Sequence, residues 1–142
     1  MKKRDHTNTA FYLLFLLLMV TSCSKQIESH LTDQPLTGTW KWIRTDGGIA
    51  NHIHETPEST AKNIDLRFTE DKHYFIYTNG TLTSQGIFNL EIHNCIHDHT
   101  NKNVINFSVP TDRDMMIEKI DSPNLELSDD SYDGTASLYI RK

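Results

Sequence analysis

The chain has 142 residues, enough for one domain and an appendage, and its 37% hydrophobic content allows one modest core. Net charge is −5, and removing Lys2, Lys3, Arg4 and Asp5 reduces the 14 basic and 19 acidic side chains to 11 and 18, net −7. A surface of that sign argues against nucleic-acid backbones and anionic lipid as electrostatic partners.

The amino terminus opens on Lys2, Lys3 and Arg4, and an apolar run, AFYLLFLLLMV, follows from Ala10 to Val20. Eleven residues are too few for a permanent membrane-spanning helix, which needs about 20. A basic start and a short apolar run suit an export signal. The run closes on Val20-Thr21-Ser22-Cys23, and SKQIESHLTDQP then reads as a polar tether. This stretch resembles the lipobox of bacterial lipoproteins. The resemblance implies a signal peptide over residues 1–22, cleavage before Cys23, and a diacylglyceryl anchor on the Cys23 sulfur. Several acyl chains on one residue hold a protein stably to a membrane. Ser24 is not the Asp of the simple inner-membrane retention signal, so the resemblance points to the bacterial outer membrane. Whether the domain faces the periplasm or the cell surface stays open.

The domain is expected over residues 36–142. Strand one spans residues 38–45, with Trp40 and Trp42 on one side at strand period. Asp46-Gly47-Gly48 makes a turn, and residues 49–60 form a long polar connection, a candidate cover for one end, with a short helical turn near Pro57-Glu58. Strand two spans residues 62–68, with Ile64, Leu66 and Phe68 on one face. Strand three, residues 73–77, is apolar on both faces: Phe75 and Tyr77 on one, Tyr74 and Ile76 on the other. Asn79-Gly80 favours a tight hairpin. Strands four and five are expected over residues 82–89 and 90–96, with Gly86 marking a bulge or a close approach beneath an indole ring. Strands six, seven and eight follow at residues 104–109, at 115–120 and from Leu125. The last strand, residues 136–141, sets Leu138 and Ile140 on one face and Tyr139 and Arg141 on the other, with Leu138 expected to join Trp40, Phe68 and Phe88 in the interior.

Short strands at period two with hairpin-length connections predict an all-β protein. A small antiparallel up-and-down barrel of about eight strands fits best, since closure removes exposed edges. A flattened β-sandwich is the alternative. Gly38-Thr39-Trp40 matches the Gly-x-Trp signature of lipocalin and wider calycin barrels. The ordered series LTGTWKWIRTDGG, Thr56-Pro57-Glu58-Ser59, Leu66 to Asp71, Tyr77-x-Asn79-Gly80, Leu125-x-Leu127-Ser128-Asp129, Tyr132-Asp133-Gly134 and Tyr139-Ile140-Arg141 resembles the small lipocalin-like lipoproteins of the Bacteroides group. That resemblance implies a calycin-type barrel in which a basic residue near the end of the last strand, here Arg141, packs over Trp40. Arg44 is the alternative for that role.

Candidate chemistry is sparse. His93, Cys95, His97 and His99 would share one face if extended, and His and Cys suit Zn or Cu. Same-face neighbours nevertheless sit about 6.5–7 Å apart, too far for all four to share one tetrahedral ion without a turn. A solvated loop with one buried Cys is the plainer account. With Cys23 lipidated, Cys95 has no intrachain disulfide partner, and a nucleophilic Cys95–His pair lacks a third, orienting group. Asp129, Asp130, Asp133 and Gly134 lack the spacing and terminal Glu of a calcium loop and read as acidic turns. No cofactor is expected beyond the Zn or Cu candidate. Tyr74, Phe75, Tyr77, Phe88 and Phe107 are candidate ligand-lining residues, against the alternative that they simply fill the core.

Three functions follow. The first is a lipid-anchored envelope module that binds a small apolar or amphipathic ligand without catalysis. The second is an accessory subunit that meets an envelope protein partner through its outer surface. The third is a metal-binding protein using residues 93–99. The expected partners are the membrane through Cys23, a small apolar ligand and an envelope protein, and not nucleic acid.

Overall fold

The computed structural model describes residues 35–142. The expected signal peptide, the expected anchor at Cys23 and the expected tether as far as Gln34 lie outside the described residues. The strands are β1 (Gly38–Gly47), β2 (Ile53–Glu55), β3 (Ile64–Phe68), β4 (His73–Thr78), β5 (Thr81–Asn94), β6 (Asn101–Phe107), β7 (Met115–Ile120), β8 (Asn124–Ser128) and β9 (Thr135–Arg141). From β3 to β9 each strand pairs antiparallel with the next; β3 and β9 both pair with β1, which closes the ring. The result is a closed eight-stranded antiparallel barrel, as expected, and not a sandwich. The extra strand, β2, extends the sheet beside β1 from Thr45 to Gly47.

The connection over residues 49–60 is more structured than its polar sequence suggests. It holds a single 3-10 turn (Ile49–Asn51), then β2, then a one-turn helix α1 (Pro57–Thr60). Thr56 caps α1: its hydroxyl accepts from the Ser59 N–H at 3.2 Å while the Ser59 hydroxyl accepts from the Thr56 N–H at 2.9 Å. Pro57 occupies the first helical turn, where its missing N–H costs nothing.

Inward parity builds the core. Trp40 and Trp42 are both buried, with Leu66, Phe68, Tyr74, Phe88, Ile105, Leu125 and Leu127 around them. Phe68 meets Phe88 edge-on at 4.9 Å between centroids, and Tyr74 meets Phe107 at 4.6 Å. The Trp40 indole donates to the Leu36 carbonyl at 2.7 Å, and the Trp42 indole donates to the Thr45 hydroxyl at 2.9 Å, so neither buried N–H is orphaned.

Three expectations need correction. Residues 82–89 and 90–96 are not two strands; β5 runs unbroken past Gly86 to Asn94. Gly86 serves a close approach, but to a phenol: an added Cβ would lie 2.9 Å from the Tyr74 ring and collide with the Ser108 hydroxyl. On β9 it is Tyr139 that is buried, while Leu138 pairs across to Arg44 and Glu126 on the outer face. Closing the barrel sets Arg141 over Trp40, and strand alternation then turns Tyr139 inward and Leu138 outward.

Arg141 holds one end of the barrel together. Its guanidinium carbon lies 4.1 Å from the Trp40 ring centroid, and the group donates to the Thr37 and Pro35 carbonyls. Arg44 instead pairs with Asp46 on the surface at 3.1 Å. Gly38 makes room for this arrangement: its φ of 136° disfavours any side chain, and a Cβ there would collide with the Arg141 guanidinium. Gly38→Ala should cost about 1–3 kcal/mol from strain and displacement of Arg141. In an Arg141→Ala background the same change should cost clearly less, because the collision partner is gone. Thermal melts of the four proteins check this; an equal cost in both backgrounds would show that only the backbone angle matters.

Candidate functional site

The barrel interior is not filled. A cavity of about 290 Å³ lies among inward residues of five strands: Ile64 and Leu66 from β3, Ile76 from β4, Phe107 from β6, Met115 from β7 and Tyr139 from β9. At about 30 Å³ per water molecule, the volume suits a guest of roughly ten non-hydrogen atoms. It falls at the small end of the range for ligand pockets. The wall is apolar because each of these strands places an aliphatic or aromatic residue at the inward position at that height. Burial pushes the Tyr139 hydroxyl up to about 12, against a smaller opposing effect from Ser137, so it remains a neutral donor.

The polar part of the wall comes from the connection between β6 and β7, residues 108–114, through Thr111, Asp112 and Arg113. Thr111 and Arg113 are exposed and mark the side that solvent reaches. The connection is tied down at three places. The Ser108 hydroxyl accepts from the Ile87 N–H at 2.9 Å, and the Asp114 carboxylate accepts from the Phe107 N–H at 3.0 Å. Between them, one Asp112 carboxylate oxygen accepts from the Tyr74 hydroxyl at 2.5 Å and from the Ser84 hydroxyl. Burial of the Tyr74 phenol, then its bond to the Asp112 carboxylate, raises its pKa, so Tyr74 keeps its proton as donor. Asp112 therefore sews the connection to β4 and β5. Arg113 has no ion pair among the described residues, which leaves one cationic group at the solvent side of an apolar cavity.

Of the candidate lining residues, Phe107 forms part of the wall. Tyr74 and Phe88 are fully buried in the core beside it. Phe75 and Tyr77 take the opposite face of β4: Phe75 pairs with Arg67 and lies under its guanidinium at 5.8 Å, and Tyr77 pairs with Asp65. The wall residues that were not among those candidates are Ile64, Leu66, Ile76, Met115, Tyr139 and the 111–113 segment. For the aliphatic ones the signal was the inward period of their strands. For Asp112 there was no local signal, since its partners lie 38 and 28 positions away. The connection over residues 49–60 lines none of this cavity.

The histidine segment does not gather. His93 sits on β5 with its ring 3.2 Å from Glu91. The chain then leaves the strand in a turn closed by the His99 N–H donating to the Cys95 carbonyl at 3.0 Å. Cys95 is buried outside the barrel wall with Val104 and Met116. The His97 ring donates to the Ser131 carbonyl at 3.0 Å and meets the edge of Tyr132. His99 carries a φ of 55°. His52 bonds to the Ile49 carbonyl and His54 to Asp46. Among the described residues, no three His, Cys, Asp or Glu side chains converge as a set of metal ligands.

Asp98 pins this turn. Its carboxylate accepts from the Thr100 N–H at 3.0 Å and the Thr100 hydroxyl at 2.7 Å, and these bonds hold its pKa well below the ordinary carboxylate range. Lys102 lies 3.3 Å away and also bonds Glu118 at 2.8 Å, which raises the lysine. A depressed carboxylate stabilises the fold above its unfolded pKa, about 3.9, and that contribution fades as pH falls towards the folded value. The Thr100 amide should therefore lose hydrogen-exchange protection as pH drops below about 4, and Asp98→Asn should show low protection at every pH. Protection that stays high in Asp98→Asn would refute the role of the charge.

A scan against protein-family models gives no match, and searches of curated proteins and of solved structures give none either.

Proposed function

We propose that the chain is a lipocalin-like binding module, anchored to the bacterial outer membrane through Cys23, that holds a small apolar or amphipathic ligand in its barrel and does no chemistry on it. The observation that carries this reading is the interior cavity of about 290 Å³, apolar on five strands and polar on one side. An apolar group gains about 25 cal/mol for each Å² it removes from water, so a short chain or ring has reason to enter. Asp112 is already committed to Tyr74 and Ser84, which leaves Arg113 and Thr111 to meet a polar head. A guest with an apolar body and an anionic or neutral polar end fits that division. The anchor belongs to the same reading: a tethered barrel handles its ligand at the membrane surface.

The test is titration with a fluorescent amphiphile whose emission rises in an apolar site. Wild type should give saturable binding at one site per chain. Ile76→Trp, which drives an indole into the cavity, should weaken binding at least tenfold, a change of about 1.4 kcal/mol. A matched surface variant, Tyr77→Trp, should not. Equal affinity in all three proteins would place the probe elsewhere and remove the support for this reading.

A further inference from the structure

Strand β5 is longer than the neighbours that cover it. β4 pairs with its first part, as far as His73 opposite Ile87, and β6 pairs with its second part, from Phe88 to Asn94. The last bond on the β4 side runs from the Phe88 N–H to the Lys72 carbonyl at 2.9 Å. Two bonds fix the phase beyond it. Ser108 N–H donates to the Ile87 carbonyl at 2.9 Å, and Cys95 N–H donates to the Thr100 carbonyl at 2.8 Å, both on the β6 side. Successive residues of a strand turn their N–H and C=O to opposite edges. Glu91 and His93 therefore bond towards β6, and Leu90, Ile92 and Asn94 present their backbone groups to the other edge. Among the described residues nothing pairs with that edge. Ile92 is 53% exposed on it, while Leu90 packs against the core margin.

We propose that this edge pairs with the same edge of a second copy of the chain, antiparallel, about a twofold axis at Ile92. The edge is self-complementary in that register alone. Ile92 then faces Ile92, Leu90 faces Asn94, and each Glu91 faces a His93 of the second copy. Within one chain Glu91 and His93 already touch at 3.2 Å, so the four groups form an alternating ring on one face, with the isoleucines on the other. Sliding two residues one way sets Glu91 against Glu91. Sliding two the other way sets His93 against His93. The first sets like charges directly opposite, which is unfavourable, and both break the two Glu91–His93 pairs between the copies. The length fits as well: the edge is bounded by Lys72 at one end and by the turn after Asn94 at the other. The contact is isologous and uses the same edge of each copy, so it closes at a dimer and does not grow into a filament.

Disulfide trapping in the full chain tests this. At a hydrogen-bonded antiparallel pair the Cα atoms lie about 5.5 Å apart, within disulfide range. Under mild oxidant, Ile92→Cys should give a covalent dimer well above the wild-type background. Gln85→Cys, exposed on β5 where β4 covers the edge, should give only background. Adding Glu91→Lys to Ile92→Cys should lose most of the trapping, and adding His93→Glu as well should restore it. Light scattering supplies a second measurement: Ile92→Pro removes an N–H that has no partner among the described residues, so it should keep the circular dichroism of the wild type and lose self-association. Absence of trapping in Ile92→Cys, equal trapping in Gln85→Cys, indifference to the Glu91→Lys swap, or self-association unchanged in Ile92→Pro each overturns the proposal.

Discussion

Trp40→Ala is expected to destabilise the domain by about 3–5 kcal/mol, the range for a large buried aromatic. Trp40 has no exposed surface, its indole donates to the Leu36 carbonyl, and its face carries the Arg141 guanidinium. Removing the ring opens a void, orphans the Leu36 carbonyl and leaves Arg141 with nothing beneath it. The segment at Pro35 and Leu36, tied to the barrel through Trp40 and Arg141, should loosen with it. A domain of this size loses about 4–8 °C of midpoint per kcal/mol, so the melt should fall by roughly 12–40 °C. Total stabilities of about 5–15 kcal/mol leave little margin after such a loss. Trp40→Phe keeps the ring face for Arg141 and should recover part of the loss. A melt of Trp40→Ala within a few degrees of wild type would show that the Trp40–Arg141 packing does not hold this end of the barrel together.

Asp112→Ala should have the second largest effect, about 2–4 kcal/mol, because one carboxylate oxygen serves two donors from different strands. The loss takes from the Tyr74 hydroxyl, on a buried ring, the carboxylate that accepts its hydrogen bond. It also frees the 108–114 connection from β4 and β5, while Ser108 and Asp114 still hold its two ends. Two readouts separate stability from access. The melt should fall, and amphiphile on-rates should rise, because the polar side of the cavity becomes mobile. Tyr74→Phe removes the donor together with its need for a partner and should cost less than Asp112→Ala. The double variant should cost less than the two singles summed, with a coupling of about 0.5–3 kcal/mol. Simple additivity would mean that the short contact between Tyr74 and Asp112 contributes nothing.

The barrel was legible because its signals are local. Alternation at Ile64, Leu66 and Phe68, the Asn79-Gly80 turn and the paired indoles of β1 each specify geometry within a few residues. Gly38, Trp40 and Arg141 were legible through resemblance, and their packing has a physical reason in the space that Gly38 leaves. Leu138 was misread because period two gives two faces without saying which is inward; the pairing of Arg141 with Trp40, 101 positions apart in the chain, decides that. The length of β5 was misread because Gly86 resembles a break. The glycine is there for the Tyr74 ring, which packs where a Cβ would be. The cavity was the least legible feature. A void is a difference between the volume the strands enclose and the volume their side chains fill, and no single residue carries it. The aromatic residues chosen as ligand-lining are mostly those that fill the core, and the wall of the void falls to aliphatic neighbours. The contact of Asp112 with Tyr74 and Ser84 likewise exists only after closure.

Titrating the isotopically labelled protein with a short amphiphile, and following its methyl resonances by NMR, tests the binding reading most directly. A ligand in the cavity should give saturable shifts centred on Ile64, Leu66, Ile76 and Met115, with the outer-face methyls of Leu138 and Ile140 unmoved. Shifts that never saturate, or that centre on the outer face, would contradict the binding reading and make the barrel a scaffold for its surface.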